Sequence, residues 1–76
     1  MNNHRNHLQE YLGTIEEYWF HGPQRKFARD AGIPETTLSR ILRKESTPTF
    51  PVICRIVRAL EKKLGRKIDP REIFEP

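Results

Sequence analysis

The chain has 76 residues, room for one domain, and size scaling lets a chain this short bury only about 60–65% of its surface. Hydrophobic residues make up 36% and charged residues 32%, with one Trp, two Tyr and four Phe, a supply of core-forming side chains that excludes a disordered segment. The formal charge is +4 and unevenly spread: residues 1–21 carry one Arg against three Glu, residues 22–58 eight Lys or Arg against three acids, and residues 59–76 five against four. A localised basic region fits a polyanionic partner. The single Cys54 excludes an internal disulfide, no apolar run reaches membrane-span length, and the polar start MNNHRN is no signal peptide. A soluble, cytoplasmic domain with no membrane partner is expected.

Residues 1–6 are expected to be disordered. From His7 onward, Leu8, Tyr11, Leu12, Ile15, Tyr18 and Trp19 recur at helical spacing. They predict a first helix over residues 5–20 that runs through Gly13-Thr14 with its apolar face over the core. Gly22 suits its end and Pro23 the first position of a second helix, which runs to Ala31. Gly32 stands where a helix stops in the left-handed conformation. A third helix starts at Pro34 or Glu35 and runs to Arg43. It has Leu38, Ile41 and Leu42 on one face and Thr36, Ser39, Arg40 and Arg43 on the other. Two short helices joined by a Gly-containing bend, residues 24–43, have the pattern of a helix-turn-helix.

After the polar loop KESTP, Thr49 is the expected cap of a fourth helix. Phe50, Ile53, Val57, Leu60 and Leu64 give it the strongest amphipathic stripe in the chain, with Gly65 as its stop. Cys54 belongs to this segment and reads as a half-buried thiol. In the tail, Asp69, Pro70 and Glu72 form a capping box and Ile68 and Ile73 a hydrophobic staple, so a short helical turn closes the core. The expected fold is all-α, four helices plus a short C-terminal helical turn, with no strand pattern.

Residues 24–60 resemble the Cro and lambda-repressor-like (XRE-type) helix-turn-helix family. The likeness rests on Phe27-Ala28, Gly32-Ile33, Thr37-Leu38-Ser39, Ile41, Pro48-Thr49 and Ala59-Leu60. There are three departures. Leu42-Arg43-Lys44 stands where the family often has Glu-x-Gly, Pro34 replaces the usual Ser cap, and EKKL extends the fourth helix. The resemblance implies a sequence-specific regulator of transcription bound to double-stranded DNA, with residues 35–43 in the major groove as a recognition helix and a homodimer on two half-sites. The outward side chains Glu35, Thr36, Ser39 and Arg40 are the candidates for base contacts. Gln24 is the phosphate anchor that the family implies, at a helix N-terminus, and Arg25, Arg43, Lys44 and Thr47 are further candidates for phosphate contacts. Arg55 and Arg58 read as solvated surface of the fourth helix.

The same fold also serves as a protein-interaction adaptor, or as the antitoxin of a toxin–antitoxin pair with a second protein as partner. Trp19 and Phe20 or the end of the fourth helix would then be the contact. Leu64, Ile68 and Phe74, or the aromatic end of the first helix, are the candidate dimer surfaces. Catalysis is not expected: phosphate loops, paired catalytic carboxylates and cofactor signatures are missing from the sequence. His4 and His7, three apart near the start, make a poor metal site, so neither a cofactor nor a metal is expected.

Overall fold

The computed structural model describes residues 5–19 and 23–75. The expectations for residues 1–4, and for Phe20, His21 and Gly22, lie outside the described residues. In chain order the elements are β1 (Arg5–Asn6), α1 (Leu8–Gly13), a 3-10 turn (Glu16–Tyr18), α2 (Pro23–Ala31), α3 (Glu35–Leu42), α4 (Phe50–Leu64), α5 (Pro70–Ile73) and β2 (Phe74–Glu75). The fold is all-α. Among the described residues the one strand pairing is two residues deep, with Arg5 opposite Glu75 and Asn6 opposite Phe74, too short to leave an alternating pattern in the sequence.

That pairing corrects the expectation of disorder through residue 6. Asn6 is buried and its Nδ2 donates to the Ile41 carbonyl at 3.0 Å, while its Oδ1 accepts from the Leu8 amide at 3.3 Å. The His7 amide adds a bond to the Ile73 carbonyl at 2.8 Å. The beginning and end of the domain are therefore fastened together, and both are fastened to the end of α3.

The first helix is shorter than its periodicity predicts. Both the amide and the hydroxyl of Thr14 donate to the Tyr11 carbonyl, at 3.1 and 2.6 Å. A threonine side chain that competes for a backbone acceptor stops a helix, and Gly13 just before it has already weakened the turn. Ile15 then adopts an extended conformation, φ −108° and ψ 106°, before the 3-10 turn. The break decides which aromatic is buried. On a continuous helix at about 100° per residue, Trp19 would fall about 20° from Leu8 and Tyr18 about 80° away. With the break, Tyr18 is buried at 2% exposure and Trp19 is left 53% exposed. The Trp19 Nε1 donates to the Gly13 carbonyl at 2.7 Å.

Leu8, Leu12, Ile15 and Tyr18 cover a single core completed by Phe27, Leu38, Ile41, Ile56, Leu60 and Ile73. The Tyr18 and Phe27 rings meet edge to face, centroids 5.4 Å apart. Burial of each large aliphatic side chain contributes about 1.5–3 kcal/mol, which holds helices too short to persist alone. The α4 stripe packs as expected from Val52 onward, but Phe50 at its head is 72% exposed. The stripe begins before the core does. Cys54 is half-buried and free. Ile68 is buried in the core, with Leu64 and Phe74 packed against it, so Ile68 is not available as the dimer surface considered above.

Asp69 and Glu72 close the expected capping box of α5: the Asp69 carboxylate accepts from the Arg71 amide at 2.9 Å and Glu72 from the Asp69 amide at 3.1 Å. Glu72 also accepts from the Tyr11 hydroxyl at 3.0 Å, tying α5 to α1. These bonds, the Asp69 amide first, hold the Glu72 carboxyl below the usual carboxylate range.

Candidate nucleic-acid interface

The turn between α2 and α3 is built by a Schellman motif. The amide of Gly32 bonds the Arg29 carbonyl at 3.2 Å and that of Ile33 the Ala28 carbonyl at 3.0 Å. Gly32 sits at φ 72°, a conformation glycine adopts without steric cost. Ile33 is then buried, and Pro34, extended at φ −62° and ψ 143°, leads into α3 as its N-cap without a side-chain cap bond. From α4, Arg55 Nη1 donates to the Gly32 carbonyl at 2.8 Å. The position of that carbonyl is thus set by a residue 23 places away, a contact that no local sequence pattern announces.

α3 divides cleanly. Leu38 and Ile41 are fully buried and Leu42 partly so, while Glu35, Thr36 and Arg40 are exposed and Ser39 is half-exposed. Glu35, Thr36, Ser39, Arg40 and Arg43 share one face because their offsets of one, four, five and eight residues fall within about 140° of the helix circumference. Thr37 is half-buried at the boundary.

The flanking candidates surround this face. Gln24 is half-buried in the first turn of α2 and Arg25 beside it is exposed. Gln24 and Leu42 line a common cleft of about 330 Å³ with Leu12, Tyr18 and Trp19, which brings the start of α2 alongside the end of α3. Arg25 Nε reaches Glu35 Oε2 at 3.3 Å. A candidate phosphate contact and a candidate base reader are therefore paired with each other, a link the sequence does not disclose because ten residues separate them. At the other end, Arg43 Nε lies 3.2 Å from Glu45 Oε2. Lys44 and Thr47 are exposed in the loop that follows.

Lys44 stands at the family's glycine position and takes the glycine conformation. Its φ is 62°, its amide bonds the Ile41 carbonyl at 3.0 Å, and the Glu45 amide bonds the Arg40 carbonyl at 3.0 Å. This is a second Schellman motif with a lysine in the left-handed position. It ends α3 where a longer helix would carry Arg43 and Lys44 further round the axis.

Behind the interface, Glu17 joins the elements. It accepts from Lys63 Nζ at 2.7 Å and pairs with Lys26 Nζ at 3.0 Å. The Lys63 bond first, then that of Lys26, holds the Glu17 carboxyl below its usual range, and Glu17 in turn raises the Lys63 ammonium. The Tyr18 hydroxyl donates to the Asp30 carboxylate. Burial first, and then Asp30, pushes that phenol upward.

No helix is long and apolar enough to cross a membrane among the described residues. Among the same residues no group of three or more His, Cys, Asp or Glu is placed to hold a metal ion. A helix-turn-helix family model matches residues 21–67, a range that takes in α2, the turn, α3 and α4. No curated protein and no solved structure matches the chain. The match covers most of the chain: it belongs to the XRE-type helix-turn-helix family, the lambda-repressor and Cro-like DNA-binding regulators.

Proposed function

We propose that this domain reads a specific double-stranded DNA sequence as a homodimer, with α3 in the major groove and transcription as the regulated process. The observation that carries this reading is the division of α3: a polar, exposed row of Glu35, Thr36, Ser39 and Arg40 is mounted on a face fixed by Leu38 and Ile41. The major groove admits a helix, and the first outward residues of that helix reach base edges. Arg40 pairs with guanine O6 and N7, worth about 1–3 kcal/mol of discrimination. Glu35 accepts from cytosine N4, and Thr36 and Ser39 offer hydroxyls to either edge. Gln24, Arg25, Arg43, Lys44 and Thr47 position the domain on phosphates. Two copies place two recognition helices on half-sites about 34 Å apart.

Selection of bound sites from a random duplex pool tests this directly. The expected result is a symmetric motif with a fixed spacing, from which Arg40→Ala loses preference at one or two base pairs. Equal affinity for selected and scrambled duplexes, unchanged by Arg40→Ala, refutes it.

The adaptor or antitoxin reading draws on one observation, the half-exposed Trp19 beside the cleft lined by Leu12, Tyr18 and Leu42. Under that reading Trp19→Ala abolishes binding of a protein partner and leaves duplex affinity intact. Loss of duplex affinity alone argues against it.

A further inference from the structure

We propose that the outer face of α4 is a second phosphate-binding surface, which takes the backbone of a nucleic-acid duplex separately from the recognition helix. Arg55, Arg58 and Lys62 recur at spacings of three and four, Arg66 follows four further on, and all of them are exposed, as is Lys67. At 1.5 Å per residue the helical part of the row, Arg55 to Lys62, extends about 10 Å, and Arg66 and Lys67 follow beyond the end of α4. A shallow groove lined by Arg58, Glu61, Lys62, Gly65, Arg66 and Lys67 forms its far half.

The pairing of charges separates Arg58, Lys62 and Lys67 from the cations that flank the recognition helix, although Arg40 on that helix forms no ion pair among the described residues either. Near the recognition helix, Arg25 is paired with Glu35 and Arg43 with Glu45, and Lys26 is held by Glu17. Even Lys63, next to Lys62, is engaged by Glu17 and lies 3.8 Å from Asp30. Arg58, Lys62 and Lys67 form no ion pair among the described residues, and Arg55 donates to a neutral carbonyl. Two acids border the row, and each accepts from a backbone amide. Glu61 Oε2 accepts from the Ile68 amide at 2.9 Å. Glu72 caps α5 and takes Arg66 at 3.4 Å.

Like charges three or four apart on a helix destabilise it by about 0.2–0.5 kcal/mol per pair. The helix dipole offsets this for Lys62, in the last turn of α4, but not for Arg55 and Arg58 in its middle. Arg55 is offset by its bond to Gly32 and Arg66 by Glu72, whereas a polyanion laid along the row would compensate Arg58 and Lys62.

The partner is a duplex backbone because the surface is long, shallow and polar. One strand presents a phosphate about every 3.4 Å of axis, so a helical row of about 10 Å faces about three of them. Position separates this surface from the reading face. Arg55 meets the turn before α3 at Gly32, and Arg58, Lys62, Arg66 and Lys67 lead from there along α4 and past its end, away from that turn. The phosphates belong either to the flank of the duplex held by α3 or to a second duplex.

The test uses the full chain with Arg58, Lys62 and Lys67 all changed to Glu, and a second variant with all three changed to Gln; thermal melts verify that both fold. The probes are a long scrambled duplex, a short scrambled duplex of about one helical turn, about 10 bp, and a pair of duplexes with different fluorescent labels. On the long duplex the slope of log affinity against log salt is expected to fall by about 2–3 in both variants, at about 0.9 for each phosphate no longer neutralised. Arg71→Gln, the same charge change as Lys62→Gln but off the row, is expected to leave the slope alone.

A loss confined to the long duplex assigns the phosphates to the flank. A loss of energy transfer between the labelled duplexes assigns them to a second duplex. Unchanged slope and unchanged energy transfer in both variants overturn the proposal, as does a wild-type chain that binds no scrambled duplex. The outcome does not depend on sequence reading: if site selection yields no motif while the α4 variants lose slope, the recognition proposal fails and this one stands.

Discussion

Lys44→Gly is expected to stabilise the protein while weakening its hold on DNA. Lys44 closes α3 at φ 62°, with the Schellman bonds to Ile41 and Arg40 both formed. A side chain in the left-handed region costs about 1–2 kcal/mol. Glycine removes that strain but adds about 0.4–1 kcal/mol of unfolded-chain entropy to be lost on folding. The backbone terms alone therefore favour glycine by about 0.5–1 kcal/mol. For a domain of this size about 1 kcal/mol shifts Tm by roughly 4–8 °C, so the expected rise is about 2–8 °C. Gly65→Ala supplies the reverse exchange. Gly65 ends α4 at φ 70°, and a methyl group there would meet nothing within 4 Å, so the strain stands alone and Tm falls by a similar amount. The same lysine is a proposed phosphate contact, so Lys44→Gly lowers the salt slope of duplex binding by about 0.9. Lys44→Asn separates the two effects, because Asn tolerates the left-handed conformation without the charge. Calorimetry of the three variants decides the matter. An unchanged or lower Tm for Lys44→Gly refutes the argument from backbone strain.

Asn6→Ala removes the bonds to Ile41 and Leu8; since the Ile41 carbonyl keeps the Lys44 amide, urea denaturation is expected to show a loss of about 1–2 kcal/mol, and a loss near zero means the strand pair does not hold α3. Glu17 is depressed by Lys63 first and then Lys26, so its contribution is present above the ordinary Glu range, near about pH 4.3, and fades as pH falls through its lowered value. Thermal melts should show wild type exceeding Glu17→Gln at neutral pH and converging with it in acid, and a constant difference across that range contradicts the network. Glu35→Ala frees Arg25 from its 3.3 Å partner for phosphate, so affinity for scrambled duplexes should rise while preference for the selected site falls; filter binding of both duplexes reads this, and a fall on both makes Glu35 a support rather than a reader.

The parts of the fold that were legible in the sequence are those in which cause and effect lie within a few residues. The tail is the clearest case. Asp69, Pro70 and Glu72 lie within one turn, their bonds are mutual, and Ile68 and Ile73 are both buried. Gly32 likewise holds the left-handed position expected of it, and Gly65 stops α4 as expected, also in the left-handed conformation. The break after Gly13 was not legible, because a periodicity that continues through Ile15 and Tyr18 is satisfied equally by one helix or by two pieces. Only the competition of Thr14 for the Tyr11 carbonyl separates them. Asn6 misled for a related reason: a polar residue near a polar start reads as solvent-facing, and its acceptor at Ile41 lies 35 residues away. Phe50 shows the converse, an apolar residue in register with the α4 stripe but beyond the reach of the core.

The candidate site was legible as a face and illegible as a charge distribution, and this changes how its chemistry should be divided. All four proposed base readers share the exposed side of α3, which offsets along one helix are enough to establish. The excess of positive charge over residues 22–58 falls on the helix-turn-helix and the segment following it, with no indication of how it divides between them. In the folded chain the two arginines flanking the readers are paired with Glu35 and Glu45, whereas Arg58 and Lys62 on α4 keep their charge open to solvent. A recognition face with its flanking arginines paired gains less from non-specific attraction to phosphate, because each ion pair must be exchanged rather than simply formed, so wrong sequences are held weakly there. Pairing of this kind favours discrimination, and the open row on α4 favours retention on DNA. The two properties are therefore expected to separate by mutation: changes at Arg40 should alter which sequence is bound with little change in salt slope, and changes along α4 should alter the slope with little change in the sequence preferred.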